Sequence, residues 1–134
     1  MLLLRLKRFL LKRLLALPEP NGRRTGRLGE LFALMTLRLE GYRILETNRH
    51  LSFAEADIVA ERNGEIVVVE VKVRRGGVYG DARDSLSAKK IERLRKLALF
   101  WSEGEQRNAR PLLFAIDVKG SNVCYSILEV FEYC

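Results

Sequence analysis

The sequence predicts an α/β fold: one domain with a mixed, central five-stranded sheet flanked by helices. Three observations predict it. Two segments of helical period are interleaved with five short strand-like segments; an Asn63-Gly64 step separates two of those strands; and the third strand, Ile66 to Val73, is rich in valine. A chain of 134 residues that is 48% hydrophobic and 31% charged is enough for one such domain, residues 23 to 134, and leaves little for a second. No internal repeat is present.

Residues 1 to 22 stand apart as a basic amphipathic arm and linker. Residues 2 to 17 place Arg5, Arg8 and Lys12 on one helical stripe, with Leu6, Phe9, Leu10, Leu14 and Leu17 around the rest. Pro18, Pro20 and Gly22 then break the helix. A second helix runs from near Thr25 to before Gly41, with Leu28, Leu31, Phe32, Met35 and Leu39 at core spacing and Glu30 in its first turn, where the helix dipole favours a carboxylate. Leu34 and Leu37 extend the face that bears Glu30, which points to partial burial.

Tyr42 to Thr47 reads as the first strand and Asn48 to Phe53 as a loop. Glu55 to Glu61 and Ile66 to Val73 form a hairpin about Asn63-Gly64. Val73 to Asp84 is a flexible, basic, glycine-rich loop, and Ser87 caps a third helix that turns Ile91, Leu94, Leu97, Ala98 and Trp101 inward. Leu112 to Val118 and Val123 to Tyr133 are the last two strands, joined at Gly120 to Asn122.

Charge is distributed unevenly. Residues 1 to 27 hold eight basic side chains against Glu19, whereas the remainder carries 16 of each sign. A basic arm on a neutral body suggests a polyanionic partner, nucleic acid or an anionic membrane surface. Two cysteines, Cys124 and Cys134, cannot build a disulfide framework or a zinc cluster, so a cytoplasmic home is expected. Apolar runs of four or fewer in the arm exclude a signal-peptide core or a membrane span, and no Gly-rich phosphate loop supports ATP-driven chemistry.

The hairpin concentrates the chemistry. With a two-residue turn, Arg62 faces Glu65 and Asp57 faces Glu70; Lys72 shares their face because strand side chains repeat every two residues. The opposite face, Ala56, Ile58, Ala60, Val67, Val69, Val71 and Val73, is wholly apolar and therefore core. Two carboxylates roughly 5 Å apart repel by about 3 kcal/mol at an effective dielectric near 20. Either Lys72 offsets this, or a divalent cation such as Mg²⁺ does, in which case the cluster is a catalytic site for phosphoryl chemistry. Taken singly, a Glu-x-Lys in a strand is usually an exposed ion pair; its placement opposite Asp57 by an independent turn signal favours function.

Lys89, Arg93 and Lys96 lie at i, i+4 and i+7 with Lys90 alongside, and with Arg74 and Arg75 they form a candidate nucleic-acid-binding surface; a solvated helix face is the alternative. His50, the only histidine, reads as a loop side chain at the surface.

The order Asp57, twelve residues, Glu70-Val71-Lys72 resembles the (D/E)-x-K core of restriction-endonuclease-like nucleases. More narrowly, Thr25-Gly26-Arg27-Leu28-Gly29-Glu30-Leu31-Phe32-Ala33, Gly41-Tyr42-Arg43-Ile44-Leu45, Asn48, Glu55-Ala56-Asp57 and Val69-Glu70-Val71-Lys72 resemble the YraN family of uncharacterised bacterial proteins, and the similarity continues through Lys89 to Ala98 and Asp117-Val118. Ala54 and His50 depart from it, where the family commonly has glycine and arginine. The resemblance implies a restriction-endonuclease-like fold similar to archaeal Holliday-junction resolvases, and a metal-dependent nuclease acting on DNA, with branched or repair intermediates among the candidate substrates. It gives Glu30, Asp57 and Glu70 the acidic ligand positions and Lys72 the catalytic lysine. On that basis Asp57 and Glu70 hold Mg²⁺ or Mn²⁺ with the Val71 carbonyl, Glu30 ligates a second ion or a metal-bound water, and Lys72 orients the attacking water. It also admits a homodimer. Two alternatives stand beside it: a non-catalytic nucleic-acid-binding module, and a membrane-surface or protein-interaction domain organised by the arm.

Overall fold

The computed structural model describes residues 2–16, 23–51, 54–75 and 82–130, and of residues 23–25, 49 and 50 it gives the backbone only. The expected linker around Pro18 to Gly22, the glycines of the basic loop, the His50 side chain and the end of the last strand lie outside what is described. Helices α1 (Leu2–Ala16) and α2 (Arg23–Leu39) precede β1 (Arg43–Leu51), β2 (Ala54–Arg62) and β3 (Glu65–Arg75); a 3₁₀ turn (Ala82–Ser85) and α3 (Ala88–Glu105) lead to β4 (Ala109–Lys119) and β5 (Asn122–Glu129). The sheet follows chain order, β1-β2-β3-β4-β5. Every neighbouring pair is antiparallel except β3 and β4, which run parallel because α3 carries the chain back between them.

Both faces of the sheet are covered. On one, α2 packs over Ile58, Ala60, Val67, Val69, Phe114 and Ile116; on the other, Leu94, Leu97 and Ala98 of α3 meet Val59, Ile66 and Val68. A strand buried on both sides cannot alternate apolar with polar, which is why β3 reads as an unbroken apolar run from Ile66 to Val69. The expectation of a single core face on the hairpin is therefore corrected. The second face is also core until Glu70.

α1 does not stand off the body. Leu10 and Leu14 are buried in the same cluster as Phe32 and Phe114, and the Lys7 ammonium lies 4.7 Å from the centre of the Tyr125 ring. α2 begins at Arg23, so Glu30 falls beyond its second turn rather than in the first, and the dipole no longer accounts for its position. β1 continues through the stretch expected as a loop, with a register shift between Ile44 and Glu46 and a left-handed backbone at Asn48 (φ 51°).

Close approach of α2 to the sheet is set by Gly29. A Cβ there would overlap the Val73 Cγ2 methyl and lie 3.6 Å from Ile116 Cδ1. Val73 is β-branched and has little rotamer freedom to retreat. Gly29→Ala is accordingly expected to destabilise the fold by about 1–3 kcal/mol despite the better helix propensity of alanine, as measured by urea unfolding.

Candidate metal and phosphate site

Asn63 (φ 53°) and Gly64 (φ 79°) both adopt the positive φ that a two-residue hairpin turn requires, and the pairs run as expected from Arg62↔Glu65 to Ile58↔Val69. There the regular pairing ends. The next position, Asp57, uses its side chain where a backbone carbonyl would continue the ladder: Oδ2 accepts the Val71 N–H at 2.8 Å. The alternation breaks at the same point, because Ala56 packs with Val59 on the α3 face while Ile58 and Ala60 face α2. Ala56 thus leaves the apolar face assigned to it from its number alone.

Asp57 sits where the two faces of the sheet meet. Glu70 follows Ile66 and Val68 on the α3 side, and its carboxyl lies against that of Asp57. Lys90, in the first turn of α3, brings Nζ to 3.4 Å from Glu70 Oε1. Its placement is local in origin: Ser87 Oγ accepts the Lys90 N–H and fixes where α3 begins. Glu30 comes from the other side. Its helix packs on the face opposite Glu70, and from there Glu30 joins Asp57 in the lining of one cleft. Arg27, Glu30, Leu31 and Leu34 of α2, with Thr47, Asn48, Asp57 and Ile58, line a cleft of about 200 Å³.

The electrostatics are those of a site short of positive charge. Burial and the neighbouring Asp57 push the Glu70 carboxyl up to about 7, against the partial relief of Lys90. Burial also raises Asp57, opposed by the Val71 N–H, the Glu70 hydrogen bond and Lys90. Glu30 is raised by burial and then by Asp57, with Arg27 opposing. Lys90 therefore offsets the mutual repulsion only in part. Two carboxylates in contact beside a backbone carbonyl form an oxygen donor set that fits Mg²⁺ or Mn²⁺, ions that take one or two protein carboxylates and complete their shell with water and phosphate. Among the described residues no three acidic, histidine or cysteine side chains converge on one point, so Glu30 stands outside that donor pair. Lys72 is exposed on β3, two residues beyond Glu70.

The basic surface is smaller than expected. Arg74 donates to Asp117 at 2.8 and 3.1 Å, with only 10% of its side chain exposed, and Arg75 donates to the Leu14 carbonyl at the end of α1. Both hold the fold together instead of facing solvent. Lys89, Arg93 and Lys96 are exposed on α3, and Lys90 turns to Glu70. Sequence reasoning missed the contact of Lys90 with the acid pair, which the Ser87 cap and helical phasing could have revealed. It also gave no role to Arg27, Thr47 and Asn48 in the cleft, although Arg27 and Asn48 lie in the motifs that carry the family resemblance.

Comparison with known proteins supplies the relationship. The chain is 38% identical over 105 residues to a UPF0102 protein of Persephonella marina, covering 78% of this chain and 81% of that one. It is 40% identical over 99 residues to a UPF0102 protein of Syntrophus aciditrophicus, covering 72% and 78%. Among solved structures it is similar to Hjc of Archaeoglobus fulgidus, a Holliday junction resolvase from an archaeal hyperthermophile. The TM-score is 0.50 at 21% identity, covering 78% of this chain and 77% of that one. The likeness places the mixed sheet and its helices in the restriction-endonuclease-like fold. Residues 29–120 match the family model described as uncharacterised protein family UPF0102. With most of its folded domain matched and relatives aligned along most of their length, the chain belongs to UPF0102, the YraN family that its motifs resemble.

Proposed function

We propose that the protein is a divalent-metal-dependent nuclease that hydrolyses DNA phosphodiester bonds at the end of the β2–β3 hairpin. One observation carries this reading. Asp57 is set against Glu70 by a carboxylate that replaces a ladder carbonyl, an arrangement that costs stability through like-charge repulsion and has no structural purpose that a neutral pair would not serve better. The resolvase likeness of the fold is consistent with it.

Asp57 and Glu70, with the Val71 carbonyl, would hold Mg²⁺ or Mn²⁺. When bound, the ion supplies Lewis-acid polarisation of the phosphoryl oxygens. Lys72 orients the attacking water and counters charge developing on the phosphate. Lys90 is Glu70's counterion. Glu30, in the lining of the adjoining cleft, would ligate a second ion or a metal-bound water, and Arg27 beside it, with Lys89, Arg93 and Lys96, binds the backbone phosphates of the strand.

Incubation of the full chain with branched, nicked and single-stranded DNA is expected to give cleavage that requires Mn²⁺ or Mg²⁺ and stops with EDTA. Steeply salt-dependent binding that is indifferent to EDTA, with no cleavage of any substrate, would overturn the enzymatic reading in favour of a non-catalytic nucleic-acid-binding module.

A further inference from the structure

The exposed side of α1 is left without a role by the nuclease reading. The helix contains no acidic residue. Its inner side is fixed to the body by the buried Leu10 and Leu14, by Lys7 over the Phe32 and Tyr125 rings, and by the Arg75 hydrogen bond to the Leu14 carbonyl. That anchoring determines which side faces outward. Leu2, Leu6 and Phe9, at i, i+4 and i+7, form an apolar stripe, and they are 72%, 41% and 59% exposed. Arg5, Arg8 and Lys12 form an exposed basic stripe next to it.

Each occupant of this side makes a different demand. A second copy packed through α1 would bring two acid-free, basic helices together without a counter-charge. Nucleic acid would satisfy the cations and leave Leu2, Leu6 and Phe9 in water. An anionic bilayer satisfies both stripes at once, with phosphates for the cations and the boundary between headgroups and acyl chains for the leucines and phenylalanine. We propose that α1 docks flat on an anionic lipid surface, with Leu2, Leu6 and Phe9 inserted to headgroup depth and Arg5, Arg8 and Lys12 on lipid phosphates. This is adsorption to one leaflet: no helix among the described residues is long and apolar enough to cross a membrane.

Deleting α1 would remove two core leucines, so the test uses surface substitutions in the full chain. The unaltered protein is expected to co-sediment with vesicles containing phosphatidylglycerol and to stay in the supernatant with pure phosphatidylcholine. Arg5→Gln and Arg8→Gln are each expected to weaken binding about fivefold at low salt. Phe9→Ser is expected to weaken it at every salt concentration, and circular dichroism of each variant should match the parent. Absence of sedimentation with phosphatidylglycerol, or a Phe9→Ser variant that binds like the parent, would overturn the proposal. So would DNA binding lost with the arginines but untouched by Phe9→Ser in a protein that ignores vesicles, or a concentration-dependent dimer that Phe9→Ser abolishes without lipid.

Discussion

Asp57→Asn is expected to lower DNA cleavage by about 10³-fold or more while leaving the protein folded. Asparagine keeps an oxygen that can accept the Val71 N–H, so the end of the β2–β3 ladder survives. It removes the negative charge that an ion requires, and the repulsion against Glu70 with it. A purely structural role for Asp57 therefore predicts that Asp57→Asn keeps both stability and rate, whereas a catalytic role predicts loss of rate with stability kept, and the same variant distinguishes them. Lys72→Ala supplies the complement. Lys72 is exposed, so its removal should change stability by no more than about 0.5 kcal/mol. Cleavage should nevertheless fall by roughly 10²–10⁴-fold if it orients the nucleophile. Undiminished cleavage in both variants, at matched protein concentration in Mn²⁺, would remove the site from this hairpin. Arg74→Ala is a useful contrast, since loss of its Asp117 pair acts on the fold and not on the chemistry.

How much of this was legible in the sequence depends on how far each interaction reaches along the chain. The hairpin register was legible because Asn63-Gly64 is a local signal and each pair out to Ile58↔Val69 follows from it. The break at Asp57 was not, because it belongs to the junction of β2 with both neighbours, where β1 carries a register shift and a left-handed Asn48. A pattern of alternating residues assumes that the alternation persists, and Ala56 shows where it stops. The start of α3 was legible for the same local reason as the turn, from Ser87. Arg74 and Arg75 were misread because their partners, Asp117 and Leu14, lie 43 and 61 positions away. A basic pair in a strand looks the same from the sequence whether it faces phosphate or a neighbouring helix. The arm was read correctly as a basic helix and incorrectly as free-standing, since the pocket that receives Leu14 is assembled from α2 and the sheet.

Stability without added metal is expected to fall as the pH rises from about 4.5 to about 7, and to level off above that. The Glu70 carboxyl has its ordinary value near 4.5 in the unfolded chain and is pushed up to about 7 in the fold, by burial and then by Asp57. Between those values the folded chain holds a proton that the unfolded chain has released, so rising pH pulls the equilibrium toward unfolding; below the window both states are protonated and above it neither is. The shift corresponds to about 3 kcal/mol at most. Glu70→Gln, which keeps the shape and removes the charge, should flatten this dependence and stabilise the protein at pH 8, while cleavage is lost. Mn²⁺ should raise the melting temperature of the parent at pH 8 and leave that of Glu70→Gln nearly unchanged, because the ion replaces the missing proton only where a second carboxylate is present to receive it. A parent whose stability rises through this window, or a glutamine variant that is less stable than the parent at pH 8, would mean that the two acids are not held against each other. The opposed effects on stability and cleavage are the signature that separates an acid pair kept for a cation from one kept for the fold.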